Sequence, residues 1–253
     1  MPLLGNNDLM NSIRFLASKQ QEVITKEWDN IAPMRDEQLA TNNDASYLAV
    51  LEPWIINRLN GAETVIDIGC GTGRLTSEIQ KAAFFVLGID PSSKSIELAR
   101  VHDKTSEYAI ATAEEWVEGH PSSKFDVAVA NMVLMDALDL DGICSAVAKL
   151  ARGGRVLATI THPAFWPVYW GYASNDEFSY SKELIVEAPF KTSSYDFFLP
   201  ATHVHRPLSR YLQAFHRAGM TIVSFEELRG TEAPNEFPFP RFLALEAAVA
   251  DNC

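Results

Sequence analysis

The sequence predicts an α/β protein built on a doubly wound, mostly parallel seven-stranded sheet, with N-terminal helices and an inserted lid. Three observations predict it. From Thr64 onward, short and nearly continuous apolar runs alternate with helical stretches, the pattern of strands buried on both faces by helical crossovers. Three alternating glycines follow the first run directly. After Thr161 the rhythm stops for a segment crowded with aromatics and prolines, then resumes.

Taken in order, residues 8 to 30 place Leu9, Ile13, Leu16, Val23, Ile24 and Trp28 among polar residues, and Ser46 to Leu59 is again helix-like. Pro33 and the polar run Thr41 to Asp44 separate the two, so residues 1–62 read as a helical extension. Five buried strands are expected at Thr64 to Gly69, Phe84 to Asp90, Tyr108 to Thr112, Phe125 to Val133 and Arg155 to Thr161, which makes residues 63–161 the α/β core. Residues 162–205 hold Phe165, Trp166, Tyr169, Trp170, Tyr172, Phe178, Tyr180, Phe190, Tyr195, Phe197 and Phe198. That is too long for an ordinary connection, and long insertions in compact domains are usually lids or binding loops. Residues 206–253 return to the core with a helix near Pro207 to Ala218, a Gly219 stop, and strands near Met220 to Glu227 and Arg241 to Val249.

Composition narrows the function. Of 253 residues, 33 are acidic and 21 basic, a net charge of -12 that opposes broad attraction to nucleic acid or an anionic membrane surface. Arg206, Arg210 and Arg217 form a local basic group, read as the solvated face of a helix. Cys70, Cys144 and Cys253 are too few and too scattered for a disulfide framework or a metal cluster, which fits a cytoplasmic setting. No targeting peptide and no apolar run long enough to span a bilayer is evident. A monomer or a homodimer is expected.

The chemistry sits in Val65-Ile66-Asp67-Ile68-Gly69-Cys70-Gly71-Thr72-Gly73-Arg74. Glycines at the exit of a strand let the backbone approach a ligand closely and adopt positive φ, while the following helix aims free amides at it. A dinucleotide fold expects G-x-G-x-x-G, yet Arg74 stands at the sixth position counted from Gly69 and Thr76 counted from Gly71. A phosphate-binding loop needs Gly-Lys-Ser/Thr, which is absent here. Asp90 ends the next strand, where a carboxylate can take both hydroxyls of a ribose. Ser92 is placed to cap the helix after Pro91.

The D-x-G-x-G-x-G spacing resembles the first motif of class I S-adenosylmethionine-dependent methyltransferases, over roughly residues 45 to 161 and the last two strands. The resemblance implies the Rossmann-like methyltransferase fold and S-adenosylmethionine as cofactor. It further implies that Asp67 faces the donor's amino group through water, that the loop with Cys70 and Gly73 cradles its methionine part, and that Gly69 and Gly71 lie under its ribose and sulfonium portion. Asp90 and Pro91 would then lie at the ribose, Thr112, Ala113 and Glu114 at the adenine, and Asn131 and Met132 beside the methyl group. Many family members carry aspartate where Thr112 stands; either its hydroxyl or the backbone at Ala113 would then meet the adenine amino group. Glu115 reads as helix surface.

Methyl transfer is an in-line displacement, so alignment supplies most of the effect, and a general base helps if the acceptor is a hydroxyl or a protonated amine. Asp136 and His162 are the candidates; no metal is required. A helix cap is the competing role for Asp136, and a carbonyl-bonded lid histidine for His162, an ambiguity shared by His203 and His205. The aromatics imply a small organic acceptor with an apolar or aromatic surface, with Trp28 closing the opposite side. The readings in view are methylation of oxygen or nitrogen on a small metabolite, a catalytically silent binding or scaffold subunit, and an RNA or protein methyltransferase.

Overall fold

A computed structural model describes residues 13–192 and 196–251; Leu9, Tyr195 and Cys253, named above, lie outside them. The described residues begin with a short strand, β1 (Arg14–Leu16), and a long helix, α1 (Gln21–Ala40). A π-helical turn, Tyr47–Leu51, runs into α2 (Glu52–Ile56). Then follow β2 (Thr64–Ile68), α3 (Arg74–Gln80), β3 (Phe85–Asp90), α4 (Ser93–His102), β4 (Glu107–Ile110), α5 (Ala113–Gly119) and β5 (Val127–Asn131). The core continues through α6 (Leu140–Leu150) and β6 (Arg155–Thr161). Residues 162–205 contribute α7 (Trp166–Trp170), β7 (Leu184–Lys191) and β8 (Asp196–His205). The chain closes with α8 (Leu208–Arg217), β9 (Met220–Leu228) and β10 (Phe242–Val249).

Seven strands form one sheet in the order β4-β3-β2-β5-β6-β10-β9. Strands β2 to β6 run parallel, and β10 is inserted antiparallel between β6 and β9. Chain order reverses between β2 and β5, and in open α/β sheets ligands settle in the crevice at the carboxyl ends of the strands at such a point. The alternating side chains of each strand feed two cores. Ile66, Ile68, Leu87, Ile89, Ala128 and Ala130 pack with α6 and α8 on one face. Val65, Val86, Val127 and Val129 pack with Leu51, Trp54, Ile55, Leu75 and Ile79 on the other. Burial on both faces is why these strands read as continuous apolar runs.

Two expectations are corrected. Pro33 lies inside α1 instead of ending it. A proline in a helix interior removes one backbone hydrogen bond at a cost of about 3 kcal/mol; here Ile24, Ile31, Ala32 and Leu39 are buried along the helix on both sides of it, and that packing carries the helix through. The segment from Arg14 is a strand, not helix. It pairs antiparallel with β7, and β7 with β8, giving a second sheet of order β1-β7-β8. The start of the chain and the aromatic insertion therefore share one element. Antiparallel pairing here was hidden by sequence, because β7 and β8 each carry a proline, Pro189 and Pro200, which meet as cross-strand partners.

Helix α1 is fastened over the strand ends at two points. Gln21 donates to the Asp136 carbonyl (3.2 Å) and accepts from the Leu138 amide (2.9 Å). Farther along, Asp29 accepts from the Ser92 hydroxyl (2.7 Å) and the Lys94 amide (3.1 Å). Ser92 also caps α4 by accepting from the Ser95 amide (3.1 Å), as its position predicts.

Candidate active site

Between the strand ends, α1 and the second sheet lies a cavity of about 570 Å³, within the range typical of small-molecule sites. The glycine loop forms part of its floor. Gly69, Gly71 and Gly73 all adopt positive φ (66°, 55° and 80°), but they are glycine for different reasons. A Cβ on Gly69 would lie 2.3 Å from Val133 Cγ2, and one on Gly73 would lie 2.7 Å from the Tyr108 hydroxyl and 2.9 Å from Ala99 Cβ. A Cβ on Gly71 would meet nothing within 4 Å. Gly69, Cys70 and Gly71 line the cavity, whereas Gly73 is the left-handed cap of α3 and does not.

Asp67 does not reach the cavity. It is 1% exposed and accepts from the Thr76 hydroxyl (2.7 Å), which ties β2 to α3 beneath the loop. Burial pushes its carboxyl up to about 7, against the Thr76 bond and with a smaller push from Asp90.

Asp90 stands at the cavity with both oxygens anchored. One oxygen accepts from the Gly71 amide (2.9 Å) and the other from the Ser92 amide (2.8 Å). Burial raises its carboxyl to about 6, while the two amide bonds act the other way. Pro91, Thr112, Ala113, Glu114, Asn131 and Met132 line the same cavity. Thr112 is the N-cap of α5: its hydroxyl accepts from the Glu115 amide (3.2 Å), and the Glu115 carboxylate accepts from the Thr112 amide (2.8 Å). This capping box corrects the reading of Glu115 as plain helix surface and commits part of the Thr112 hydroxyl to structure. Asn131 accepts from the Thr159 hydroxyl (2.6 Å), and Met132 has a φ of 60°, a conformation that L residues rarely hold without external support.

Trp28, Trp166, Tyr169, Trp170 and Phe190 form the aromatic wall. Trp28 meets Phe190 edge-on with centroids 5.2 Å apart. Other aromatics pack elsewhere: Tyr172 is 1% exposed inside the insertion's own core, and Phe198 points to solvent.

Of the two base candidates, only Asp136 borders the cavity. Burial pushes its carboxyl well above the usual carboxylate range, opposed by a hydrogen bond from Trp28 and helped by the nearby Glu27 charge. The capping role falls to Asp139, which accepts from the Gly142 amide (2.9 Å). His162 is corrected: it is buried off the cavity with both ring nitrogens engaged, Nε2 with Glu227 (2.9 Å) and Nδ1 accepting from the Ala164 amide (3.2 Å). The imidazole that does border the cavity is His203, stacked on Trp170 (4.7 Å) and bonded through Nε2 to the Tyr172 hydroxyl (2.9 Å). Burial drives its pKa down to about 3, so it is neutral. His205 instead faces the Tyr180 carbonyl (3.1 Å).

The basic group is also corrected. Arg206 precedes α8 and is 1% exposed, donating to Glu183 and to the carbonyls of Leu134, Ala137 and Leu138. It pins the loop that carries Asp136. Arg210 and Arg217 pair with Asp141. Reading motifs alone missed Arg35, Tyr47, Lys191 and Arg241 as cavity residues, since none belongs to a recognisable pattern.

Residues 59–188 match the family described as "Methyltransferase domain". A ubiquinone biosynthesis O-methyltransferase of Rhizobium etli is 34% identical over 101 residues, covering 38% of this chain and 40% of that protein. The chain thus spans less than half the length of the curated relatives it matches. Among solved structures, a putative S-adenosylmethionine-dependent methyltransferase from Listeria monocytogenes superposes with a TM-score of 0.63 at 21% identity, covering 79% of this chain and 99% of that one. A 1,6-didemethyltoxoflavin-N1-methyltransferase from Burkholderia thailandensis, solved with its substrate and S-adenosylhomocysteine, gives 0.60 at 15% identity over 94% and 95% of the two chains. These likenesses show the fold, and the family match over half the chain places it: the chain belongs to the methyltransferase-domain family.

Proposed function

We propose that the enzyme methylates an oxygen or nitrogen on a small organic acceptor held against the aromatic wall. The observation that carries this is the continuity of one cavity from Gly71 and Asp90 to Trp166, Tyr169, Trp170 and Phe190. The relatives named for O-methylation and the neighbour named for N-methylation support an acceptor of this size, and the aromatic wall supports a ring or acyl surface.

The residues fit the donor. The open space over Gly71 admits a ligand against the backbone, and each Asp90 oxygen keeps a lone pair after its amide bond, enough for two vicinal hydroxyls. Thr112, Ala113 and Glu114 lie next along the sheet for the base, and Asn131 and Met132 lie at the crossing point of the strands. S-adenosylmethionine supplies the electrophilic methyl group. The chain's own part is to align the acceptor, keep water out beneath α1, and take a proton where the acceptor is a hydroxyl. We assign that proton to Asp136, the one of the two base candidates that borders the cavity, where burial raises its carboxyl. His203, held neutral at the wall, serves as a hydrogen-bond partner for the acceptor.

The test is transfer of labelled methyl groups into a metabolite extract, a total RNA sample and a protein sample. Label in the small-molecule fraction is expected; label confined to RNA or protein overturns the proposal. Asp136→Asn should lower kcat by about 10²-fold or more on a hydroxyl acceptor, the usual range for a general base. Full turnover in that variant removes Asp136 from the proton step.

A further inference from the structure

The cavity is lined by charges of both signs. At the ends of β3, β4 and β5 it is lined by the carboxyl groups of Asp90, Glu114 and Asp136. Across β10 and the second sheet it is lined by Lys191 and Arg241, both gathered around Tyr169. The Lys191 Nζ lies 5.6 Å from the centroid of that ring and the Arg241 guanidinium carbon 4.9 Å.

Charge balance at this end is incomplete. Arg35 is paired with Asp44 (2.6 Å), and Arg241, only 4% exposed, is paired with Glu232. Lys191 is half-buried and, among the described residues, no carboxylate stands within ion-pair reach; its cross-strand partner Asp196 acts only at longer range. In addition, the Nε–H of Arg241 is buried with no acceptor among the described residues. A half-buried cation and a buried donor left unmatched both cost free energy, and both residues line the same cavity.

We propose that the acceptor carries a carboxylate, and that Lys191 and Arg241 bind it beside the Tyr169 ring. The proposal rests on reading this cavity as the acceptor site. A monoanion gives Lys191 the close counter-ion that the longer-range Asp196 does not provide. A planar carboxylate suits a guanidinium N–H together with an ammonium, the first directional and the second a mobile point charge. The arrangement also orients the molecule: the anion is held under β10 and β7, and the remaining body lies along Trp166 and Trp170. A neutral acceptor would leave Lys191 without a counter-ion in contact.

The test uses protein saturated with S-adenosylhomocysteine and titrated with benzoate, 4-hydroxybenzoate and trans-cinnamate, each beside its carboxamide, and with phenyl phosphate. At least one carboxylate should bind roughly tenfold or more tightly than its amide, about 1.4 kcal/mol. Lys191→Met should shrink that preference to under about threefold and Lys191→Arg should retain it. The proposal is overturned if no carboxylate is preferred, if the preference survives Lys191→Met, or if phenyl phosphate binds better than every carboxylate. A titration of each sample with S-adenosylhomocysteine alone separates the premises. Absent donor binding removes the methyltransferase reading of the cavity, whereas donor binding without a carboxylate preference removes only this proposal.

Discussion

Replacing Asp90 is the sharpest probe of the donor half of the site. Its two oxygens each accept one backbone amide, from Gly71 and Ser92, and each keeps one lone pair for a ligand hydroxyl. Hydrogen bonds to a charged group are worth about 1.5–3 kcal/mol each, so losing two weakens donor binding by at least about 3 kcal/mol, roughly 150-fold. Asp90→Asn is the stricter variant. Its amide nitrogen must face either the Gly71 or the Ser92 N–H, donor against donor, which orphans one backbone group at about 1–3 kcal/mol and shifts the loop. Asn and Ala should therefore lose similar affinity for S-adenosylhomocysteine in calorimetry, despite the near-identical shape of Asn. The apo protein should respond differently. Because burial raises the Asp90 carboxyl to about 6 in the fold, its favourable contribution is present at low pH and is lost as pH rises through 6. Asp90→Asn should thus be less damaging to apo stability at pH 8 than at pH 5. A dissociation constant within about threefold of wild type for either variant would refute the assignment.

Three further outcomes follow from the same geometry. Gly69→Ala should destabilise the fold by about 1–3 kcal/mol, because the new Cβ would collide with Val133, whereas Gly71→Ala should cost only the strain of its positive φ yet weaken donor binding by intruding into the cavity; thermal midpoints and calorimetry separate the two. Asp67, raised to about 7 against an ordinary value of 3.8, makes the fold lose stability between about pH 4 and pH 7, by up to about 1.4 kcal/mol per pH unit; Asp67→Asn should flatten that dependence in urea unfolding at pH 5 and pH 8, and an unchanged slope would show the group is not responsible. Arg206→Met should destabilise by about 3–5 kcal/mol, since it leaves the Leu134, Ala137 and Leu138 carbonyls and Glu183 without their shared donor. A stability loss under about 1 kcal/mol would show that water replaces the guanidinium.

The seven-stranded sheet was legible because its signals are local. Strands such as Val65-Ile66 and Val127-Ala128-Val129 are apolar on both faces, and the turn after β2 needs positive φ at Gly69, Gly71 and Gly73. Asp90 and Ser92 were legible for the same reason, since a strand end and a helix start define their roles within a few residues. The second sheet was not, because β1 and β7 meet across Arg14 and Glu187, and nothing near either residue announces the other.

The donor reading thus came with the sequence, through the family resemblance carried by three glycines after β2 and one acid at the end of β3. What only the tertiary structure decided is which chemistry faces the cavity. It buried His162 against Glu227, drew Asp67 under the loop, turned Arg206 into a loop anchor, and brought Asp136, His203, Lys191 and Arg241 to one cavity. The physical reason is separation along the chain: backbone conformation is governed by neighbours in sequence, whereas burial, charge balance and pKa depend on groups that meet only after the chain has folded.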